Sequence, residues 1–170
     1  RVTDDTDDQH QPVRSNITEQ PLVGRPHVHR GLTHCASLGE FEQGLPVMEA
    51  FKERFPEWVL VVTFFSPSGF EARKEFQLAD YVMYLPKETK ANVKLFMDAF
   101  KPKIAVFVKY EFWYDYMAAL DKLNTPLIFV SATFRQNQIF FQPFGGWFLK
   151  QLKPVKMFFV QDTESQVLLN

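Results

Sequence analysis

The chain has 170 residues, of which 46 % are apolar and 19 are Phe, so its composition excludes an intrinsically disordered protein. Its formal net charge of -1 excludes the surplus of Lys and Arg that nucleic-acid binding needs, so no nucleic-acid partner is expected. The single cysteine, Cys35, excludes an intrachain disulfide and a Cys-rich zinc site.

The first 30 residues differ in composition from the rest. Acidic residues cluster over 4–8 and prolines interrupt 12–26, which predicts a polar, disordered arm over residues 1–30. The chain begins with Arg1 rather than Met and ends at Asn170 inside a predicted helix, so we expect a fragment of a longer protein. Because no run of about 18 apolar residues occurs, no membrane-spanning helix is predicted.

From residue 31 onward, alternating strand and helix patterns predict one α/β domain over residues 31–170. The predicted strands are short apolar runs, typical of a parallel sheet covered on both faces. They span residues 32–36, 59–65, 81–85, 104–110, 127–131 and 157–160. Between them, apolar residues at three- and four-residue spacing predict the core-facing sides of helices. These residues are Phe41, Leu45, Met48, Phe51 and Phe55, then Val93, Phe96 and Phe100, then Trp113, Tyr116, Leu120 and Leu123. The alternation predicts a doubly wound parallel sheet, whose chemistry collects at the carboxyl ends of the strands.

The first predicted strand leads into Ser37, Gly39 and Glu40, so a carboxylate stands at a helix start above that edge of the sheet. Gly39 is expected to allow a tight turn. Glu40 has two interpretations: a general base that takes a proton from a bound hydroxyl, or a capping box with Ser37. Because the helix dipole lowers the pKa of such a carboxylate, a base here needs an apolar surround, which Phe41 can supply.

Lys109 and Glu111 follow the fourth predicted strand, at the same edge of the sheet as Glu40. Charged side chains directly after a buried strand need partners. The two side chains point to one side if the strand continues, so a functional role and a local ion pair between them remain equally open.

Other strand ends carry residues with both a structural and a functional interpretation. Ser66 before Pro67 is typical of a helix N-cap, although free amides at such a helix start can also hold an anion. Arg135 can contact a phosphate or stand as a solvated loop residue. His34 and Cys35 are expected to be buried structural residues.

An aromatic segment over residues 138–152 is interrupted by Pro143 and by Gly145 and Gly146. It can cover the sheet, or it can present an apolar patch to a lipid or a partner. The sequence contains no glycine-rich dinucleotide fingerprint, no P-loop, no nucleophile elbow and no metal-ligand spacing.

Several of these segments together resemble the motifs of a known family. Residues 34–42, HCASLGEFE, resemble the first motif of the Kdo (3-deoxy-D-manno-octulosonic acid) transferases. The segments TFFSPSG (63–69), FVKYEFW (107–113), SATFR (131–135) and FVQD (159–162) follow in the order and spacing of that family. The resemblance covers about residue 32 to the end of the chain.

The resemblance implies a Rossmann-like domain that forms the acceptor-binding half of a GT-B glycosyltransferase. It implies transfer of Kdo from CMP-Kdo to the lipid A precursor in lipopolysaccharide biosynthesis, at the cytoplasmic face of the bacterial inner membrane, with no metal or cofactor. Glu40 is then the general base of an inverting reaction, and Glu111 is a second required acid. The residues implied in substrate binding are Ser37, Gly39, Ser66, Ser68, Lys109 and Arg135.

The sequence also departs from the family pattern. The family begins with a hydrophobic anchor, whereas this chain begins with polar residues; Thr33 replaces a bulky apolar residue and Tyr114 stands where proline is common. The family's second domain, which binds CMP-Kdo, is expected to be missing from this sequence, which ends at Asn170. The chain alone is therefore expected to be inactive. Two other hypotheses remain: a catalytically silent module that binds lipid or a partner, and a different GT-B sugar transferase.

Overall fold

The computed structural model describes residues 28–109 and 111–169. Most of the predicted polar arm, residues 1–27, lies outside the described residues, as does Tyr110 in the motif after the fourth strand.

Within the described residues, six strands form one sheet in which all neighbours run parallel. The strands are β1 (Arg30–Cys35), β2 (Val59–Phe64), β3 (Tyr81–Tyr84), β4 (Ile104–Val108), β5 (Leu127–Ala132) and β6 (Val155–Val160). Their order across the sheet is β3-β2-β1-β4-β5-β6. This order confirms the doubly wound parallel sheet predicted from the alternating pattern.

Helices connect the strands and lie on both faces of the sheet. They are α1 (Leu38–Arg54), α2 (Pro67–Arg73), α3 (Lys90–Phe100), α4 (Tyr114–Lys122), α5 (Gly146–Gln151) and α6 (Thr163–Leu169), with a 3-10 turn at Ile139–Phe141. In the part of the chain that the structure describes, no helix is long and apolar enough to cross a membrane.

The sheet separates two apolar layers. Because successive residues of a strand point to opposite faces, Phe107 packs in one cluster and its neighbour Val108 in the other. Helix α1 covers one face and contributes Phe41 to its cluster. Helices α3 and α4 cover the other face and contribute Phe96 and Tyr116.

The predicted helix faces are confirmed, with the whole face of α3 buried, except at the last residue of two of them. Phe55 and Leu123 are C-cap residues that remain 37 % and 47 % exposed, because each helix has already ended. Helix α4 begins at Tyr114, so Trp113 is its N-cap residue, although it still packs, partly buried, against the core cluster that α4 covers.

The prediction that the fourth strand reaches residue 110 is also wrong, since β4 ends at Val108. The next residue, Lys109, has a φ of 65°, which is left-handed and incompatible with a continuing strand. Ser131, with a φ of 54°, lies where the register of β5 against β6 is irregular. Left-handed backbone costs a residue other than glycine on the order of 1 kcal/mol, and such strain is concentrated at functional sites.

The two central strands, β1 and β4, mark the point where the winding of the sheet reverses. They are neighbours in the sheet, but the chain leaves β1 through α1 on one face and leaves β4 through α4 on the other. In doubly wound sheets a crevice opens at this place, outside the carboxyl ends of the two strands. The residues after β1 and β4 therefore decide what the domain can bind.

Candidate functional site

The loop after β1 and the first turn of α1 fix the position of Glu40. The backbone of Ser37 is extended and forms the N-cap, and Glu40 completes a capping box. The Oε2 atom of Glu40 accepts hydrogen bonds from the backbone N–H groups of Ala36, at 2.5 Å, and Ser37, at 3.2 Å. The predicted capping box is therefore confirmed, and it leaves the second carboxylate oxygen, Oε1, without a partner among the described hydrogen bonds.

Glu40 is buried, with 7 % of its surface exposed, and burial determines its acidity. Burial raises the pKa of Glu40 above its usual value, and this effect outweighs the N–H bonds from Ala36 and Ser37 and the charge of Lys109, which lower it. The sequence predicted a lowered pKa unless an apolar surround offset the helix dipole. The structure supplies that offset through the burial of Glu40, whereas Phe41 packs against Phe64 and Phe76 inside the core.

The loop after β4 brings Lys109 and Glu111 to the same crevice. Burial raises the pKa of Glu111, and the negative charge of Glu40 raises it further. The charge of Lys109 acts on Glu40 in the opposite direction. The structure thus confirms that Glu40, Lys109 and Glu111 meet at one edge of the sheet, between the ends of β1 and β4.

The suggested ion pair between Lys109 and Glu111 is not formed among the described residues. It required a continuing strand, and the left-handed backbone of Lys109 ends β4 before the two side chains can align. Glu111 instead accepts a hydrogen bond from the indole Nε1 of Trp113, at 3.1 Å.

Trp113 is a site residue that the sequence pattern assigned to core packing. Its ring lies 5.1 Å from that of Phe65 and 5.7 Å, edge-on, from that of His34, measured between centroids. Phe65 follows β2 and His34 lies in β1, so Trp113 joins the ends of three strands. One sequence signal could have indicated this contact: Trp113 follows Glu111 by two residues in a short loop, which allows the indole N–H to reach the carboxylate.

We expect Trp113→Phe to raise the pKa of Glu111 further. The substitution keeps an aromatic ring but removes the N–H donor, and that hydrogen bond favours the ionised carboxylate. A carbon-detected NMR titration of the Glu side chains, with Glu111→Gln for assignment, measures the shift. Trp147→Phe, at an exposed position, is the matched control. An unchanged or lower pKa of Glu111 in Trp113→Phe would show that the indole does not set its acidity.

The loop after β2 lies against the loop after β1. The backbone N–H of Ser66 donates to the carbonyl of Ala36 at 2.7 Å. The Ser66 hydroxyl accepts from the backbone N–H of Ser68 and lies 2.9 Å from the Ser68 hydroxyl. The structural interpretation of Ser66 as an N-cap, here of α2, is therefore confirmed. Both serine hydroxyls lie at the carboxyl edge, and their role in substrate binding stays a prediction.

Gly39 does not form the predicted tight turn. It lies in the first turn of α1 with no left-handed backbone, and a Cβ atom built on it would meet nothing within 4 Å. The space above this turn is therefore open, directly beside Glu40.

Arg135 is separate from the three charged residues of the crevice. Its Nη1 atom is 3.3 Å from a carboxylate oxygen of Asp162 and equally far from one of Glu164, at the start of α6. No hydrogen bond or ion pair between described residues joins it to Glu40, Lys109 or Glu111. Contact of Arg135 with a substrate phosphate stays a prediction.

His34 and Cys35 are buried structural residues, as predicted. The Nδ1 atom of His34 lies 3.0 Å from the hydroxyl of Thr63, and burial lowers the pKa of His34 to about 3, so its ring is neutral. Burial raises the pKa of the Cys35 thiol, which is therefore unreactive.

No group of three or more His, Cys, Asp or Glu side chains could hold a metal ion among residues 28–109 and 111–169. The absence of a metal or cofactor from the reaction stays a prediction.

Comparisons with known proteins support one family. The sequence profile described as "3-Deoxy-D-manno-octulosonic-acid transferase (kdotransferase)" matches residues 14–170. A 3-deoxy-D-manno-octulosonic acid transferase of Chlamydophila psittaci is 27 % identical over 137 residues, covering 77 % of this chain and 31 % of that protein. One of Aquifex aeolicus is 36 % identical over 81 residues, covering 47 % of this chain and 22 % of that protein. The chain thus spans about a third or less of the curated relatives it matches.

Solved structures show the same fold. A UDP-N-acetylglucosamine 2-epimerase superposes with a TM-score of 0.56 at 15 % identity, covering 84 % of this chain and 45 % of that one. A protein described as a UDP-N-acetylglucosamine 2-epimerase from Listeria monocytogenes gives a TM-score of 0.58 at 14 % identity, covering 84 % and 42 %. At this identity the likeness shows the fold alone, and it confirms the Rossmann-like class of a GT-B half.

Proposed function

The chain belongs to the 3-deoxy-D-manno-octulosonic-acid (Kdo) transferase family, and on that premise we propose that it binds the acceptor for a Kdo transferase. The reaction moves Kdo from CMP-Kdo to the lipid A precursor in lipopolysaccharide biosynthesis. One observation carries the proposal: two carboxylates with raised pKa values and a lysine meet at the switch point of the sheet. Such clusters of shifted groups in a crevice are typical of catalytic sites.

Glu40 is the general base of the proposed reaction. Its raised pKa makes the carboxylate a stronger base, while the two backbone N–H groups and Lys109 keep the ionised form accessible. The base takes the proton of an acceptor hydroxyl, and that oxygen forms a bond to the anomeric carbon of Kdo. The bond from this carbon to the phosphate oxygen of CMP breaks, and the electron pair leaves with CMP. The configuration at the anomeric carbon inverts, because attack and departure occur on opposite sides.

Glu111 and Lys109 have supporting roles. The hydrogen bond from Trp113 holds the carboxylate of Glu111 in place, so it can accept a hydrogen bond from the sugar and orient it. Burial raises the pKa of Glu111, and the charge of Glu40 raises it further, so a proton received by Glu40 relieves the repulsion between the two acids. Lys109 supplies a positive charge to a crevice that must receive phosphorylated substrates.

The surroundings of the crevice fit an acceptor sugar. The open space above Gly39 lets a substrate approach the backbone at the start of α1, next to Ser37. Ser66 and Ser68 present hydroxyls from the neighbouring loop, and Arg135 is a more distant contact for a phosphate. We further propose that CMP-Kdo binds through a further domain and that the protein acts at the cytoplasmic face of the bacterial inner membrane. We also propose that the reaction needs no metal or cofactor.

A chimera tests the proposed function. This chain is joined to the region of the Aquifex aeolicus relative that follows the matched residues, and Kdo transfer from CMP-Kdo to lipid IVA is measured. Transfer supports the proposal. A folded chimera that hydrolyses CMP-Kdo but transfers no Kdo to lipid IVA would contradict it, because the donor half would then be shown to work without a productive acceptor half.

A further inference from the structure

Phe65 is an aromatic residue at the same edge of the sheet as the two acids. It directly follows β2, and its side chain is 44 % exposed, whereas Phe64 before it is fully buried in the core. Because β2 lies next to β1, Phe65 stands beside the loop that leads to Glu40. A single exposed apolar side chain is common on protein surfaces, so the exposure of Phe65 alone assigns it no role, and its neighbours decide.

A backbone contact and a ring contact fix Phe65 between the two acids. The carbonyl of Ala36 accepts a hydrogen bond from the N–H of Phe65 at 3.3 Å, and the N–H of Ala36 donates to Glu40 at 2.5 Å. On the other side, the ring of Phe65 lies 5.1 Å from that of Trp113, between centroids, and the Trp113 indole donates to Glu111. Each acid is thus held by a residue that also contacts Phe65.

Polar groups adjoin the ring of Phe65 in the chain and in space. Ser66 follows it directly, and the hydroxyl of Ser66 lies 2.9 Å from that of Ser68. The space above Gly39 is open, so a ligand can reach this part of the crevice. An accessible aromatic ring with a few polar groups near it is the usual composition of a site for a small organic ligand.

A sugar ring matches this combination of groups. A pyranose carries hydroxyl groups around its rim, while its faces consist of C–H groups and are apolar. An aromatic ring binds such a face through dispersion and through weak contacts with its π electrons, and carboxylates and serine hydroxyls bind the rim. A nucleobase would also stack on Phe65, but it has no row of hydroxyls for two acids and two serines.

We propose that Phe65 is a stacking platform for the acceptor, whose pyranose ring lays its C–H face on the phenyl ring. Glu111 and Ser66 then bind the hydroxyl rim, and one hydroxyl is directed toward Glu40. Phe65 touches no reacting atom, so it contributes to affinity and orientation and not to the chemical step. The inference deepens the proposed function and rests on it for the identity of the sugar.

The fluorescence of Trp113 can report contact of a sugar with Phe65. The chain has three tryptophans, so Trp58→Phe/Trp147→Phe leaves Trp113 as the only one. Titration of this protein with methyl β-D-glucosaminide is expected to give a saturable change in emission, because the sugar replaces water beside the indole. Glucosaminitol, an open-chain counterpart without a ring face, and CMP, a nucleotide without a pyranose, are expected to give none.

Substitutions of Phe65 in the same single-tryptophan protein test the stacking itself. Phe65→Leu is expected to weaken binding of methyl β-D-glucosaminide about fivefold, because it stays apolar but loses the flat face. Phe65→Tyr keeps the ring and is expected to bind as the parent protein does. Phe55→Leu is the matched control, since Phe55 is 37 % exposed at the C-cap of α1, at the opposite edge of the sheet. Circular dichroism melting confirms that each variant is folded.

The pKa of Glu111 separates binding from a purely structural role. If Phe65 binds the sugar directly, Phe65→Leu leaves the hydrogen bond from Trp113 to Glu111 in place, and an NMR titration finds the pKa of Glu111 unchanged. A shifted pKa of Glu111 in Phe65→Leu would show that Phe65 acts by positioning Trp113, which overturns the platform.

The binding outcomes also separate the platform from the proposed function. The platform is overturned if the folded protein does not bind the glucosaminide, if it binds glucosaminitol equally well, or if Phe65→Leu binds like its parent. Saturable binding of CMP that Phe65→Leu weakens would assign the ring to a nucleobase instead. None of these measurements involves Kdo transfer. A chimera without transferase activity would therefore leave sugar binding at Phe65 in place, and an active chimera would leave the transferase function in place without the platform.

Discussion

Glu40→Gln in the chimera is expected to lower the rate of Kdo transfer by roughly 10²- to 10⁴-fold, the usual contribution of a general base. Glutamine can still accept the backbone N–H bonds from Ala36 and Ser37 through its side-chain oxygen, so the start of α1 should fold as before. It cannot take a proton from the acceptor hydroxyl. Binding of lipid IVA should therefore remain while turnover is lost, which kinetic and binding measurements on the same protein can separate.

Glu42→Gln is the matched control for Glu40→Gln. Glu42 lies two residues further along α1, is exposed, and pairs with Arg73 at 2.6 Å. Its neutralisation should change turnover little, because an exposed ion pair contributes modestly to stability and Glu42 plays no part in the proposed chemistry. Equal turnover in wild type and Glu40→Gln would exclude Glu40 as the base.

The pH dependence of Kdo transfer by the chimera is expected to follow the ionisation of Glu40. The base must be ionised, so the rate should rise as the pH increases through the pKa of Glu40 in the folded protein. Burial places that pKa above the ordinary 4.5 of a glutamate, so the rise should come at a higher pH than for an exposed glutamate.

Phe134→Ala is expected to lower the free energy of unfolding by about 3–5 kcal/mol, as for other buried aromatic rings. Phe134 is fully buried just after β5. Its ring lies 5.4 Å from that of Phe158 and 6.1 Å from that of Phe112, between centroids. Truncation removes ring contacts to β6 and to the loop before α4 together, and leaves a cavity that neighbouring elements cannot close. Urea denaturation of the purified chain measures the change.

Phe144→Ala gives the comparison for Phe134→Ala, because Phe144 is a phenylalanine of the aromatic segment over residues 138–152, which follows Phe134 along the chain. Phe144 is 88 % exposed, so its truncation should change the free energy of unfolding by less than about 0.5 kcal/mol. A similar loss for both variants would mean that burial does not decide how much each of these two rings contributes to stability.

The sheet was predictable from the sequence because its strands are buried on both faces. Runs such as residues 59–62 and 104–108 are continuously apolar, which is typical of strands covered on both faces of a parallel sheet. The ends of the strands were less predictable. The backbone of Lys109 is left-handed, a conformation that a sequence usually indicates by Gly or Asn and not by Lys. The end of β4 is therefore set by tertiary contacts, such as the hydrogen bond from the Lys109 N–H to Val130.

The sequence predicted which residues form the candidate site, but it did not predict their hydrogen bonds, ion pairs and pKa shifts. Glu40 and Glu111 follow strands, and the rule for doubly wound sheets places both at one edge. Whether burial or the helix dipole decides the pKa of Glu40 depends on exposure, which the local sequence does not contain. The pairing of Arg135 with Asp162 and Glu164 joins segments about thirty residues apart, and it depends on the placement of β6 beside β5.

Calorimetric binding of lipid IVA in detergent, by wild type and by Glu111→Ala, tests most directly whether this crevice receives the acceptor. Saturable binding by wild type, weakened about tenfold by Glu111→Ala, is the predicted result, because a charge-assisted hydrogen bond to the sugar is removed. Glu42→Ala, at an exposed position of α1, should bind as wild type. Equal affinity of wild type and Glu111→Ala, or no binding by a folded wild type, would contradict the assignment of the acceptor site to Glu40, Lys109 and Glu111.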